Sequence, residues 1–355
     1  MTLVLGSWVG LPNHARGTFV SVLLGRQPSR WEDNSSIGTR RSGVMIDGGI
    51  EMSTRTDNRP VAAAARLDRA QVRPKWFAVG LALFGFGAAM VAVLGPLVTE
   101  LIEYHASEGA VNQIIGGDVA GLLLVAPVSI LAGLLVWRGH SAGPVLALGP
   151  AVYGLYMYSQ LALGNDISRY EGNSERFFPL YLGLFVLAAA IAIAAWTAID
   201  ISRLPQTSKR LNRSFGWFVL VIAVFLAAGL HLPGLVDAWA DQPVSPDYLA
   251  DPVVFWLVKF MDLALVVPAL VAVGVGVLRN AAWAEKAKFA AVGWVALLAS
   301  SVAGMAIVMQ VTGDPAGTVA NTIAFSTFAA LGLVVAVLVY RLLFIARRSE
   351  GMESA

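Results

Sequence analysis

From residue 76 onward the chain is a succession of long apolar stretches separated by short polar connections. Eight stretches can be read, over residues 76–101, 117–137, 142–163, 177–201, 214–233, 252–278, 287–310 and 317–345. A helix rises about 1.5 Å per residue, so about 20 apolar residues cross a hydrocarbon core about 30 Å thick. The pattern therefore predicts an all-α, polytopic transmembrane helix bundle of about eight spans. It occupies 76–345, with a short tail at 346–355.

The connections alternate in charge. Those after the second, fourth and sixth stretches carry Arg138, then Arg203, Lys209, Arg210 and Arg213, then Arg279, Lys286 and Lys288. Those after the first, third, fifth and seventh carry mainly Glu103 and Glu108, then Asp166, Glu171 and Glu175, then Asp237, Asp241, Asp247 and Asp251, then Asp314. Basic residues collect on the cytoplasmic side of a membrane protein. Of 25 Lys and Arg, only Arg169 and Arg176 fall on the acidic side, and Lys259 falls inside a span. Both termini are thereby expected in the cytoplasm, which requires an even number of spans.

An offset of 141 residues sets Trp76-Phe77 on Trp217-Phe218, Phe84 on Phe225, Pro127 on Pro268, Gly133 on Gly274 and Arg138 on Arg279. A 4+4 internal repeat is one reading of these identities; chance alignment of apolar segments is the other. Halves that each begin in the cytoplasm would be parallel, related by an axis along the membrane normal. The same offset sets Asp118 on Lys259.

The sixth stretch, DPVVFWLVKFMDLALVVPALVAVGVGVLR from Asp251 to Arg279, carries two charges at depth. Counted from Pro252, Lys259 lies about 10 Å and Asp262 about 15 Å into the hydrocarbon. A lone charge there costs at least about 2.5–3.5 kcal/mol, so both side chains should face a partner, the bundle interior or water. Their i, i+3 spacing lets them reach each other, and Asp118 is a second candidate partner for Lys259. Tyr156, Gln160 and His231 fall in the outer half of their spans and complete a candidate polar site. Tyr153, Tyr156 and Gln160 share one helical face. Pro127 and Pro268 free mid-span carbonyls that could help line a cavity. The structural alternatives are that tyrosine and glutamine here are interfacial belt residues or interhelical ties, that His231 is an interfacial histidine, and that Lys259 and Asp262 are a packing pair.

Composition agrees with the membrane reading. Hydrophobic residues make up 57% of 355 and charged residues 14%, with a mean hydropathy of +0.68, whereas soluble domains are about 25% charged. A net charge of +2 gives a nucleic-acid partner no support. Absence of cysteine excludes disulfides, a thiolate nucleophile, iron–sulfur clusters and cysteine zinc sites. No HExxH, GxSxG, phosphate-binding loop or dinucleotide fingerprint is present, so nothing points to an enzyme. Among the four histidines only His105 and His231 fall on the same side, and no cofactor or metal is expected. The loop 234–251, rich in Pro and Asp, reads as solvated or as a weak cation site.

Residues 1–75 carry eleven Lys and Arg and no run of spanning length, and read as a basic, disordered cytoplasmic segment. Asp47-Gly48-Gly49-Ile50-Glu51 before Met52 could be encoded by a purine-rich ribosome-binding site, which would make Met52 the true start.

The segment YGLYMYSQLALGNDISRYEGNSERFFPLYLGLFVL from Tyr153 to Leu187 has a tyrosine-rich helix, a short external loop and an aromatic FFPLY entry to the next helix. In these features it resembles an uncharacterised family of bacterial multi-pass membrane proteins. The resemblance implies the plasma membrane of a bacterium and assigns no chemistry.

Two expectations follow. One is a transporter-like protein for a small molecule or ion, with Lys259 and Asp262 at a midplane site, Asp118 and Tyr156 as wall residues, and access from outside. The other is a structural or accessory subunit in the bilayer, with a membrane-protein partner or a second copy of itself.

Overall fold

The computed structural model describes residues 75–315 and 317–353. The expectations for residues 1–74, Met52 included, lie outside them. Among the described residues there are helices and no strands. The described residues form eight rods: α1 (Lys75–Leu94), α2 (Glu108–Trp137), α3 (Ala142–Leu163), α4 (Ser174–Ala198), α5 (Lys209–Ala238), α6 (Pro252–Leu278), α7 (Ala282–Val311) and α8 (Val319–Glu353). Seven are long and apolar enough to cross a membrane. The exception is α3, whose glycines, prolines and tyrosines lower its hydropathy. It is also among the most enclosed rods, with Tyr153, Met157, Tyr158 and Leu161 all in the core.

Apolar side chains cover the outside of the bundle as well as its interior. Phe86 is 65% exposed, Ile193 67% and Phe260 65%, and each projects from a rod away from its neighbours. Contiguous apolar surface of this extent is tolerated where the solvent is lipid.

Three rods contain one widened turn each: Gly121–Val125 in α2, Phe225–His231 in α5 and Asp262–Val266 in α6. A proline follows each turn, at Pro127, Pro233 and Pro268. Proline lacks the N–H that would close a regular turn, and its ring collides with the carbonyl four residues back. Widening the turn relieves the collision. Ala126, Leu232 and Val267 then donate to the carbonyls five residues back, on Gly121, Ala227 and Asp262. Such turns re-aim side chains and recur at functional sites.

α2 and α6 match in detail. Their widened turns begin at 121 and 262, and their final segments, Ala126–Trp137 and Val267–Leu278, keep the same offset of 141. Both end in the same cap. Gly139 and Asn280 have φ of 68° and 53° and donate to Val136 O and Val277 O, while His140 and Ala281 donate to Leu135 O and Gly276 O. A left-handed residue at this position suits glycine or asparagine.

Rod pairing is also repeated: α1 packs on α2 as α5 packs on α6, and α3 on α4 as α7 on α8. Between the two sets, α3 packs on α7, α2 on α7 and α6 on α3. Small residues allow these approaches. A Cβ on Gly149 would lie 3.1 Å from the Gly293 carbonyl carbon, and one on Gly116 would overlap the backbone of Gly304 and Met305. Close backbone approach of this kind holds helices together where no hydrophobic effect can act between them.

Acidic and basic connections sort to opposite ends. At the acidic end, Asp251 Oδ2 accepts from Ser107 N at 2.7 Å, Asn112 Nδ2 donates to Asp314 Oδ2 at 3.2 Å, and Tyr170 OH donates to Ala250 O at 2.6 Å. At the basic end, Lys286 Nζ donates to Trp196 O, and buried Lys288 binds Thr207 and Glu285.

Candidate functional site

Asp262 opens the widened turn of α6 and is 8% exposed. Both of its oxygens are held from other rods. Tyr156 OH of α3 donates to Oδ1 at 2.8 Å, and His231 Nε2 of α5 lies 2.7 Å from Oδ2. His231 ends the widened turn of α5 and is 2% exposed. One carboxylate thus ties three rods together, and two of its three residues stand on turns that proline has widened. The Tyr156 ring lies edge-on to Trp294 of α7 at 6.4 Å.

This arrangement corrects the expected pair. Among the described contacts Lys259 does not bond Asp262. Its Nζ lies over the Phe255 ring, 4.4 Å from the centroid. Long side chains on a helix lean toward its N-terminus, so the Lys259 ammonium finishes one turn nearer the acidic end than its own Cα. Asp262 lies one turn the other way.

Asp118 is not the partner of Lys259 either. It is 8% exposed in α2, and its Oδ2 has no hydrogen-bond partner. A Cβ on Gly95 would lie 2.9 Å from that oxygen. Asp118 acts electrostatically on Tyr104, Tyr153, Tyr158 and Tyr181, and it stands apart from the His231–Asp262–Tyr156 group. Tyr153 bonds Ser301 of α7 at 2.7 Å, and Tyr158 stacks edge-on against Phe84.

Gln160 lines a small cavity of about 80 Å³ at the acidic end, with Tyr104, Gln113 and Asn165. Beside it opens a cleft of about 640 Å³, bounded by the start of α2, the start of α6 and the end of α7. Lys259 lies in the cleft, together with Glu108, Asp247, Asp251 and Asp314. Lys259 thus lies in a cleft at the acidic end with Gln160 beside it, while Asp262 and His231 are buried in the interior and Tyr156 is half-buried.

Hydrogen bonding constrains the proton on His231. Its Nδ1 has no acceptor, so a proton there would be an unsatisfied buried donor. The consistent tautomer is neutral imidazole with Nε2–H donating to Asp262. The Asp262 carboxylate is then held by one donor from each of two other rods, Tyr156 O–H and His231 Nε2–H.

Among the described residues no three His, Asp or Glu lie close enough to hold a metal ion. Sequence reading passed over the His231 pairing and the acidic cleft. A signal existed for the first, since His231 and Asp262 each lie within six residues of a mid-span proline.

Seven apolar helices define a multi-pass integral membrane protein. No family model, curated protein or solved structure matches the chain.

Proposed function

We propose that the protein is a transporter-like membrane protein for a small molecule or ion, in which His231, Asp262 and Tyr156 form a proton-handling latch. The single observation that carries this is a buried carboxylate inside a span, bonded by a tyrosine and a histidine from two other rods. α3 is the eighth span, both termini are cytoplasmic, and the acidic end with its cleft faces outward; the charge sorting supports this. The recurrence of widened turn, cap and rod pairing at one offset supports a parallel 4+4 duplication. Protonation changes what the latch can bond, and the weak turns of α5 and α6 give those rods a place to bend.

Purified protein in liposomes loaded with a pH-sensitive dye tests the reading. Addition of a mixed pool of amino acids, amines and carboxylic acids should shift internal pH with wild type and not with Asp262→Asn at equal incorporation. A pool-independent signal, or the same shift in both proteins, would overturn it.

The accessory-subunit reading keeps one observation in its favour. Every bond of the latch crosses between rods, as a packing device requires. It expects a membrane-protein partner to co-purify through the exposed outer surface and no solute-dependent pH change.

A further inference from the structure

We infer that the cleft at the acidic end is a binding site for an organic zwitterion whose ammonium and anionic groups stand about 6–8 Å apart. The inference concerns binding at the cleft and deepens the transport reading by naming a ligand class.

Asp251 provides the ammonium end. It is 4% exposed, lines the cleft, and spends Oδ2 on Ser107 N–H while Oδ1 has no partner. A buried carboxylate with one open oxygen lacks a donor, and a donor of opposite charge satisfies it best. Asp247, Glu108 and Asp314 line the same cleft and give it a net negative rim that draws cations.

Lys259 provides the other end. It is the cleft's one cation among the described residues, held over Phe255, with a Cβ on Gly234 only 3.4 Å from its Nζ. The charge separation follows from the helix. Phe255 lies four residues beyond Asp251, about 6 Å along the axis, and the Lys259 ammonium sits at the level of Phe255. Val254, Phe255 and Val258 lie between the two charges and offer an apolar wall to the ligand's middle.

Two alternatives fit less well. A divalent cation is best held by several charged ligands together, and among the described residues no three His, Asp or Glu side chains are so placed. An α-amino acid places its charges about 3 Å apart, too close to reach Asp251 and Lys259 together. A chain of five methylenes spans about 7 Å, within the size range of a cleft of this volume.

6-Aminohexanoate is therefore the probe, with hexylamine, hexanoate and L-alanine as controls, titrated calorimetrically into protein in nanodiscs. Saturable binding of 6-aminohexanoate is expected, about 10-fold tighter than either single-charge analogue or L-alanine. Asp251→Asn should weaken the zwitterion and hexylamine about 10-fold but leave hexanoate unchanged; Lys259→Met should do the reverse. Asp251→Asn keeps an oxygen for Ser107 N–H. If it nevertheless fails to fold, Asp247→Asn at the exposed rim should weaken both ammonium probes by about 2–3-fold. No saturable heat with 6-aminohexanoate, or single-charge analogues binding as tightly as the zwitterion, overturns the inference. Asp262→Asn should bind the probe normally. Binding without proton movement therefore removes the transport reading alone, and proton movement without 6-aminohexanoate binding removes this one alone.

Discussion

Two histidine–carboxylate pairs of equal length occupy different surroundings in this protein. His105 Nε2 lies 2.7 Å from Glu175 Oε2 among the acidic-end connections, where the glutamate side chain is 47% exposed. His231 Nε2 lies 2.7 Å from Asp262 Oδ2 between rods, with side-chain exposures of 2% and 11%. The difference that matters is at the other ring nitrogen. His105 Nδ1 reaches Tyr170 O at 2.8 Å, so both nitrogens face acceptors and the ring is set to carry two protons. His231 Nδ1 faces none. The second acceptor, more than the distance, distinguishes the two pairs: one imidazole is bonded at both nitrogens and the other at one.

Removing the two carboxylates separates the pairs most sharply. Asp262→Leu takes the acceptor from Tyr156 OH and leaves His231 Nε2–H unsatisfied in an apolar interior, and thermal unfolding in detergent should show a loss of about 1–3 kcal/mol. Glu175→Gln at a half-exposed position should cost well under half of that. Restoring an apolar match with His231→Leu in the Asp262→Leu background should recover part of the loss, because the two residues interact directly. Equal losses at Asp262 and Glu175 would mean that burial does not distinguish the pairs.

How much of this could be read from the chain follows from which forces are local. Apolar length, charge sorting and proline position are properties of single segments, so the rods, their acidic and basic ends and the neighbourhood of the widened turns were legible. Lys259 and Asp262 were recognised as needing partners, but the partners were assigned by helical spacing within one rod. Spacing fixes where Cα atoms lie and says little about reach: lysine leans outward over Phe255, and aspartate is short enough to be captured by Tyr156 and His231. His231 was included in the candidate polar site, with an interfacial histidine as the alternative, but its bond to Asp262 was not assigned because nothing local shows which rod α5 turns it toward. The cleft depends on residues from α2, α6, α7 and three connections meeting, which no single segment encodes.

Asp118 extends the comparison to a buried carboxylate with no histidine. Its Oδ2 is unpartnered while Asp262 is bonded on both oxygens, so its removal strands nothing. Asp118→Asn is expected to raise stability by about 1 kcal/mol in the same unfolding assay. A loss as large as that of Asp262→Leu would show that Asp118 has a partner of equal weight.

The smallest effect belongs to the His105–Glu175 pair and appears only as a pH dependence. The hydrogen bond to Glu175, then that to the Tyr170 carbonyl, holds the His105 pKa above its usual value, against the opposing effect of burial. A histidine whose folded pKa is raised binds protons more tightly folded than unfolded. Its contribution is therefore complete below the unfolded pKa of about 6.5 and fades as pH rises through the folded value. Unfolding of wild type and His105→Gln compared at each pH cancels the groups that do not touch His105, and Glu175, whose pKa the same bond holds below its usual value, adds a change only in more acidic buffer. The wild-type advantage should be greatest in mildly acidic buffer and shrink steadily above neutrality. An advantage that grows with pH would mean that His105 is neutral when folded, and the contrast with His231 would then rest on burial alone.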